Sequence, residues 1–165
     1  MPVSLLTCVT NGGGMGPGHS CIDVNGTVYT FQDIDWGGNA SGWLQFSLKK
    51  YLARNVHRPV IVQKMNSVVS DGKVLKYILG SITNDDDYLG SGVCSSQAAN
   101  AIESGYHGSF NTWGVDTPYD IYKLAKKKRM VASEAMHWPG EKDCNFFVKN
   151  SIKATLMYMG AGKHV

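Results

Sequence analysis

The chain has 165 residues, 43% of them hydrophobic and 18% charged, which gives one domain with a buried core and excludes a disordered chain or a coiled coil. Lysine and arginine total 16 against 13 aspartates and glutamates, a net charge of +3 that is too small to argue for nucleic acid as a partner. No run approaches the ~20 apolar residues of a membrane span, and 19 glycines point to many tight turns rather than a long helical bundle.

The first residues, MPVSLLTCVTNGGG, lack a basic segment and a long apolar run, so no secretory signal is expected. That reading allows a cytoplasmic protein or one exported by a specialised route. Cys8, Cys21, Cys94 and Cys144 form no C-x-x-C pair; a zinc ribbon and a thioredoxin-type site are unsupported, and free thiols are expected. No metal and no cofactor is expected.

Residues 3–9 (VSLLTCV) read as a first strand, followed by a glycine-rich loop at 11–18. That loop lacks the Lys-Ser/Thr and helix of a phosphate cradle. In HSCIDVNGTVYTFQ, at 19–32, Asn25-Gly26 between alternating segments predicts a two-residue hairpin. Counting outward pairs Val24 with Thr27, Ile22 with Tyr29 and His19 with Gln32. Ile22, Val24, Tyr29 and Phe31 then share one face; His19, Cys21, Thr30 and Gln32 share the other.

Ser41 reads as a cap for a helix over 43–53, where Trp43, Phe46, Leu48, Tyr51 and Leu52 fall near helical spacing. A strand follows at 60–65, then a helix over 71–82. The acidic loop at 84–92 lacks the alternating ligands of a calcium site. CSSQAANAIESG predicts a helix from Cys94 ending at Gly105, and Thr117-Pro118 starts another running to about 128. KKKR at 126–129 complements that helix's dipole. The spacing over 144–158 gives a last amphipathic helix. Pro139 and Gly140 argue that His137 sits in a turn.

Cysteine nucleophiles need a lowered thiol pKa, a histidine within hydrogen-bond reach and a polar group to orient the ring. A helix N-terminus supplies the first through its free N–H groups and dipole. Cys94 opens a helix of small residues after Gly90 and Gly92. His19 opens a strand, with Gln32 as its neighbour to hold the ring and fix its tautomer. Cys144, before Asn145 and Phe146, is the second candidate nucleophile, its alternative reading being a buried structural thiol. His57, His107 and His164 rank below His19, and Trp36 is a candidate groove residue if exposed.

A histidine at a hairpin strand, a polar residue closing the next strand, and then GVCSSQAANAIESG and DTPYDIYKLAKKK resemble the permuted papain-like cysteine hydrolases. These are relatives of the NlpC-type peptidases and the lecithin:retinol acyltransferase group. The resemblance covers residues 17–34 and 88–128. It implies an α+β fold over 1–165, with a small antiparallel sheet flanked by helices, and acyl-transfer chemistry by Cys94, His19 and Gln32. The leading expectation is a hydrolase of amide bonds in peptidoglycan peptides, of the kind delivered as a secreted antibacterial toxin with a cognate immunity or delivery protein. Alternatives are an acyltransferase, thioesterase, lipase or deamidase on the same fold, and a non-catalytic binding module.

Overall fold

A computed structural model describes residues 2–9, 18–33, 41–55, 58–86, 93–110 and 117–137. In chain order the elements are β1 (Val3–Cys8), β2 (His19–Val24), β3 (Thr27–Asp33), β4 (Ser41–Ser47), α1 (Leu48–Arg54), β5 (Val60–Met65), α2 (Asp71–Thr83), α3 (Cys94–Gly105), α4 (Pro118–Lys127) and β6 (Val131–His137). The fold is α+β. Its six strands form one sheet in the order β4-β3-β2-β1-β5-β6, every neighbouring pair antiparallel. This is a larger sheet than the small one expected.

The hairpin between β2 and β3 has the expected register from Val24 opposite Thr27 to Ile22 opposite Tyr29; the ladder ends there, and the expected His19–Gln32 pair is not part of it. Asn25 and Gly26 both take positive φ, 54° and 84°. That conformation matches the strand twist and selects Asn-Gly.

The sheet is covered on both sides. On one face Leu5, Ile22, Val24 and Tyr29 pack with Val74 and Ile78 of α2, Ala98, Ala101 and Ile102 of α3, and Ile121 and Ala125 of α4. On the other, Leu6, Cys8, Cys21, Val28 and Val60 pack with Tyr51 of α1. Every residue of β1 is buried, as a central strand covered on both faces requires. The small side chains of α3 let it lie close to the sheet.

The expected helix over 43–53 is instead a strand followed by a short helix. Residues Ser41–Ser47 pair with β3, Phe31 opposite Trp43 and Val28 opposite Phe46. Trp43 packs against Phe31, with ring centroids 5.3 Å apart, while Phe46 joins the α1 side. Apolar residues on both faces of a short strand mimic helical spacing. The helix cap is Ser47, whose side chain accepts from the Lys50 amide, not Ser41.

The strand over 60–65 and the helix starting at 71 form as expected. Thr117 caps α4 by accepting from the Asp120 amide, with Pro118 in the first turn. Gly105 closes α3 for a steric reason. A Cβ there would lie 2.6 Å from Val74 Cγ2 and 2.7 Å from the Ser70 carbonyl oxygen, so glycine allows α3 to meet the start of α2. His137 ends strand β6, paired with Val60, rather than sitting in a turn. Its pairing with β5 overrides the local signal of Pro139 and Gly140. The glycine-rich loop at 11–17, Trp36, His57, the loop at 87–92, Cys144 with its expected helix, and His164 lie outside the described residues. Among the described residues no helix is long and apolar enough to cross a membrane.

Candidate functional site

His19 is the first residue of β2 and sits opposite Cys8 of β1. Gly18 precedes it with φ of 88°. A Cβ on Gly18 would collide with the Cys8 carbonyl oxygen and lie 3.1 Å from the Tyr119 ring. Both the backbone angle and the close approach require glycine here. They bring the start of α4 against the strand end that carries His19.

The ring of His19 joins a short relay. His19 Nε2 lies 2.5 Å from Thr30 Oγ1, and the Thr30 hydroxyl donates to Gln32 Oε1 over 3.3 Å. A hydroxyl has one proton to give. Thr30 gives it to Gln32, so it accepts from His19, and the ring carries its proton on Nε2. Nδ1 is left with the lone pair. Gln32 therefore acts on His19 through Thr30. The sequence reading placed Thr30 on this face but gave it no role; the alternation that carries His19 and Gln32 was the signal that could have found it.

The ring is a weak base in this setting. Enclosure by protein pushes the His19 pKa down to about 3, and the nearby Arg58 guanidinium pushes it the same way. At neutral pH the imidazole is uncharged.

Cys94 opens α3, next to the cap residue Val93. The Ser96 hydroxyl accepts from the Val93 amide at 2.8 Å and secures the first turn. Cys94 is 7% exposed, and the backbone N–H groups of Ser20 and Ser95 donate to its sulfur. Burial still dominates and raises the thiol pKa; those N–H groups, the Ser95 side chain and Arg58 lower it by less. A helix N-terminus by itself would depress this pKa. Desolvation outweighs it.

The Cys94 sulfur thus lies at the peptide that joins His19 to Ser20. The alternation that turns Ile22 and Val24 toward α3 turns the His19 ring toward Thr30. Among the described residues no hydrogen bond joins His19 to Cys94. The structure brings His19 of β2 together with Thr30 and Gln32 of β3, and sets the Cys94 sulfur beside β2.

Two further features surround the pair. Thr7 and Ser20 face each other across β1 and β2, and among the described residues neither buried hydroxyl has a hydrogen-bond partner. Cys8 and Cys21 lie on the α1 side, with Cys8 Sγ 3.3 Å from the Tyr51 hydroxyl; burial pushes both thiols up. Cys8, Cys21 and Cys94 are free thiols. Among the described residues no cluster of histidine, cysteine, aspartate or glutamate has the makings of a metal centre. His107 is exposed at the end of α3, away from the relay.

No family model, no curated protein and no solved structure matches the chain.

Proposed function

We propose that the chain is a cysteine hydrolase of the permuted papain-like type, acting on an amide bond, with peptidoglycan peptides as the leading substrate. The observation that carries this reading is the Cys94 sulfur at the start of a helix, receiving N–H groups from Ser20 and Ser95, one residue from His19. Donors that reach the sulfur are near enough to serve an oxyanion formed on the atom it attacks.

In the proposed reaction the Cys94 thiol gives its proton to His19 Nδ1 as the sulfur bonds to the carbonyl carbon. The carbonyl electrons move to oxygen. The tetrahedral intermediate collapses, the C–N bond breaks, and the amine leaves with the proton from His19. Water then cleaves the thioester, with His19 again as base, releasing the acid and restoring the thiol. Thr30 and Gln32 hold the Nε2–H tautomer that keeps Nδ1 available. The resting pair in this scheme is a neutral thiol and a neutral imidazole, so proton transfer accompanies attack. The His19 ring must approach the sulfur for this step.

The buried thiol and the engagement of His19 with Thr30 favour a second reading, a binding module that retains the fold. One experiment separates them. Purified sacculi are incubated with the protein, with Cys94→Ala and with His19→Ala, and the soluble fragments are identified by mass spectrometry. New amino and carboxyl termini produced by the wild type and absent with both variants support the hydrolase. Identical fragments from wild type and Cys94→Ala overturn it. No fragments from sacculi, and none from a panel of ester and thioester substrates, leave the binding module standing.

A further inference from the structure

A cavity of about 540 Å³ opens on the α1 side of the sheet beside the relay. Its walls are Leu44, Phe46 and Tyr51, and its polar groups come from Gln32, Arg54 and Arg58. What matters is which hydrogen-bonding atoms remain free. Asn55, also at the wall, has its Oδ1 taken by Arg58 Nε at 2.9 Å. Its Nδ2 donates to the Tyr51 carbonyl oxygen at 2.8 Å. Gln32 Oε1 is taken by Thr30, which leaves the Gln32 NH2 group. The Arg54 guanidinium stands over the Phe46 ring, 5.0 Å from its centroid. Among the described residues, no acceptor takes the terminal nitrogens of Arg58. Among the described residues no carboxylate pairs with either arginine.

The cavity therefore offers two guanidinium groups and the Gln32 NH2 group, with no carboxylate among the described lining residues, beside apolar walls. We propose that it binds a carboxylate carried on a short apolar or peptide stem, held by Arg58 and Arg54 and by the Gln32 amide. A planar carboxylate has two acceptor oxygens that fit a guanidinium fork, and the aromatic and leucine walls suit the stem. Its role as a substrate subsite rests on the hydrolase reading above; the binding itself does not.

The site is coupled to His19 in two ways. Gln32 belongs both to the cavity and to the relay. Arg58, whose charge opposes protonation of His19, would be partly neutralised by a bound carboxylate. A carboxylate bound there would raise the proton affinity of His19 and, through the same charge, that of the Cys94 sulfur.

The test uses full-length Cys94→Ala protein, so that chemistry at the thiol plays no part. Binding of N-acetyl-Ala-Ala, its C-terminal amide and inorganic phosphate is followed by calorimetry and by amide chemical shifts, with Arg54→Gln and Arg58→Gln in the same background. Arg54 is exposed, so Arg54→Gln tests the cavity even where Arg58→Gln perturbs folding. The expected result is that the acid binds at least tenfold tighter than its amide and tighter than phosphate, and that Arg54→Gln weakens it several-fold. Equal binding of acid and amide overturns the proposal. So does indifference to both arginine variants, or phosphate binding tighter than the acid. Carboxylate binding by Cys94→Ala together with an inert wild type would sink the hydrolase and leave the carboxylate site intact.

Discussion

Protonation of His19 should be the main reason the fold weakens in mild acid. An unfolded histidine has a pKa near 6.5, while in the fold the ring is pushed down to about 3 by enclosure first and Arg58 second. The folded pKa is depressed, so between these values the unfolded chain binds the extra proton. The stability this ring contributes is complete above 6.5 and is lost as pH falls toward 3. Going from pH 7.5 to 5.0, the unfolded histidine gains almost a full proton and the folded ring gains almost none. The linkage integral over that window is about 2 kcal/mol, and it depends only on the ring remaining neutral in the fold. Urea titrations at both pH values, for wild type and His19→Gln, measure it. The glutamine amide can still donate to Thr30, so the variant should fold and should lose about 2 kcal/mol less than wild type over the same window. The comparison cancels Asp23, whose carboxyl is raised by burial and pulls in the opposite direction. Equal pH dependence in the two proteins would refute the reasoning and show that His19 is solvated.

Iodoacetamide labelling followed residue by residue should find Cys8 and Cys21 silent until the chain unfolds. Cys94 should label slowly, its pH midpoint lying above the ordinary 9.0; rapid labelling near pH 6 would contradict the buried thiol. Thr30→Val removes the relay's central hydroxyl and leaves both the His19 Nε2–H and Gln32 Oε1 without it. It should cost about 1–3 kcal/mol by urea titration, and on the hydrolase reading it should lower kcat more than it raises KM. Arg58→Gln removes a charge that opposes His19 protonation, so the ring's pKa measured by NMR should rise; an unchanged or lower value would rule out that coupling. Gly105→Ala should destabilise by roughly 1–3 kcal/mol through overpacking against Val74 and Ser70. Gly80→Ala, with open space around the added Cβ, should stabilise α2 by up to about 1 kcal/mol; a reversed order of the two melting temperatures would overturn this packing argument.

The parts of the fold legible in the sequence are those fixed by local chemistry. Asn25-Gly26 encodes its own turn and, with it, the register of two strands. Thr117-Pro118 encodes a helix start because a cap and a preset φ are both local. Trp43 to Ser47 misled because β4 has apolar residues on both faces, and its strand conformation is decided by pairing with β3. Strand β6 left no distinct signal: Ala132, Ser133, Ala135 and His137 are exposed, as at a sheet edge. In the candidate site, Cys94 is named by the helix it opens, His19 and Gln32 by the hairpin alternation, and their shared role only by the family resemblance. Thr30 as the direct partner of His19 depended on a diagonal contact between strands, and Arg58 on the path of the chain after α1. The direction of the Cys94 pKa was missed because a helix N-terminus can be seen in a sequence, whereas the depth of burial cannot.

The two ionic states that the proposed chemistry needs are not served equally. A thiolate on Cys94 would meet N–H donors from Ser20 and Ser95 and the attraction of Arg58. An imidazolium on His19 would keep its Nε2 bond to Thr30, yet both enclosure and Arg58 act against its charge. Burial opposes both charges, while Arg58 favours the thiolate and opposes the imidazolium. Negative charge near Arg58 would ease protonation of the ring, and the cavity beside Gln32 is the place proposed for it. On the proposed hydrolase reading, a carboxylate in that cavity would ease protonation of His19 and, by muting the same charge, raise the Cys94 thiol further, so its effect on the step is the difference of the two.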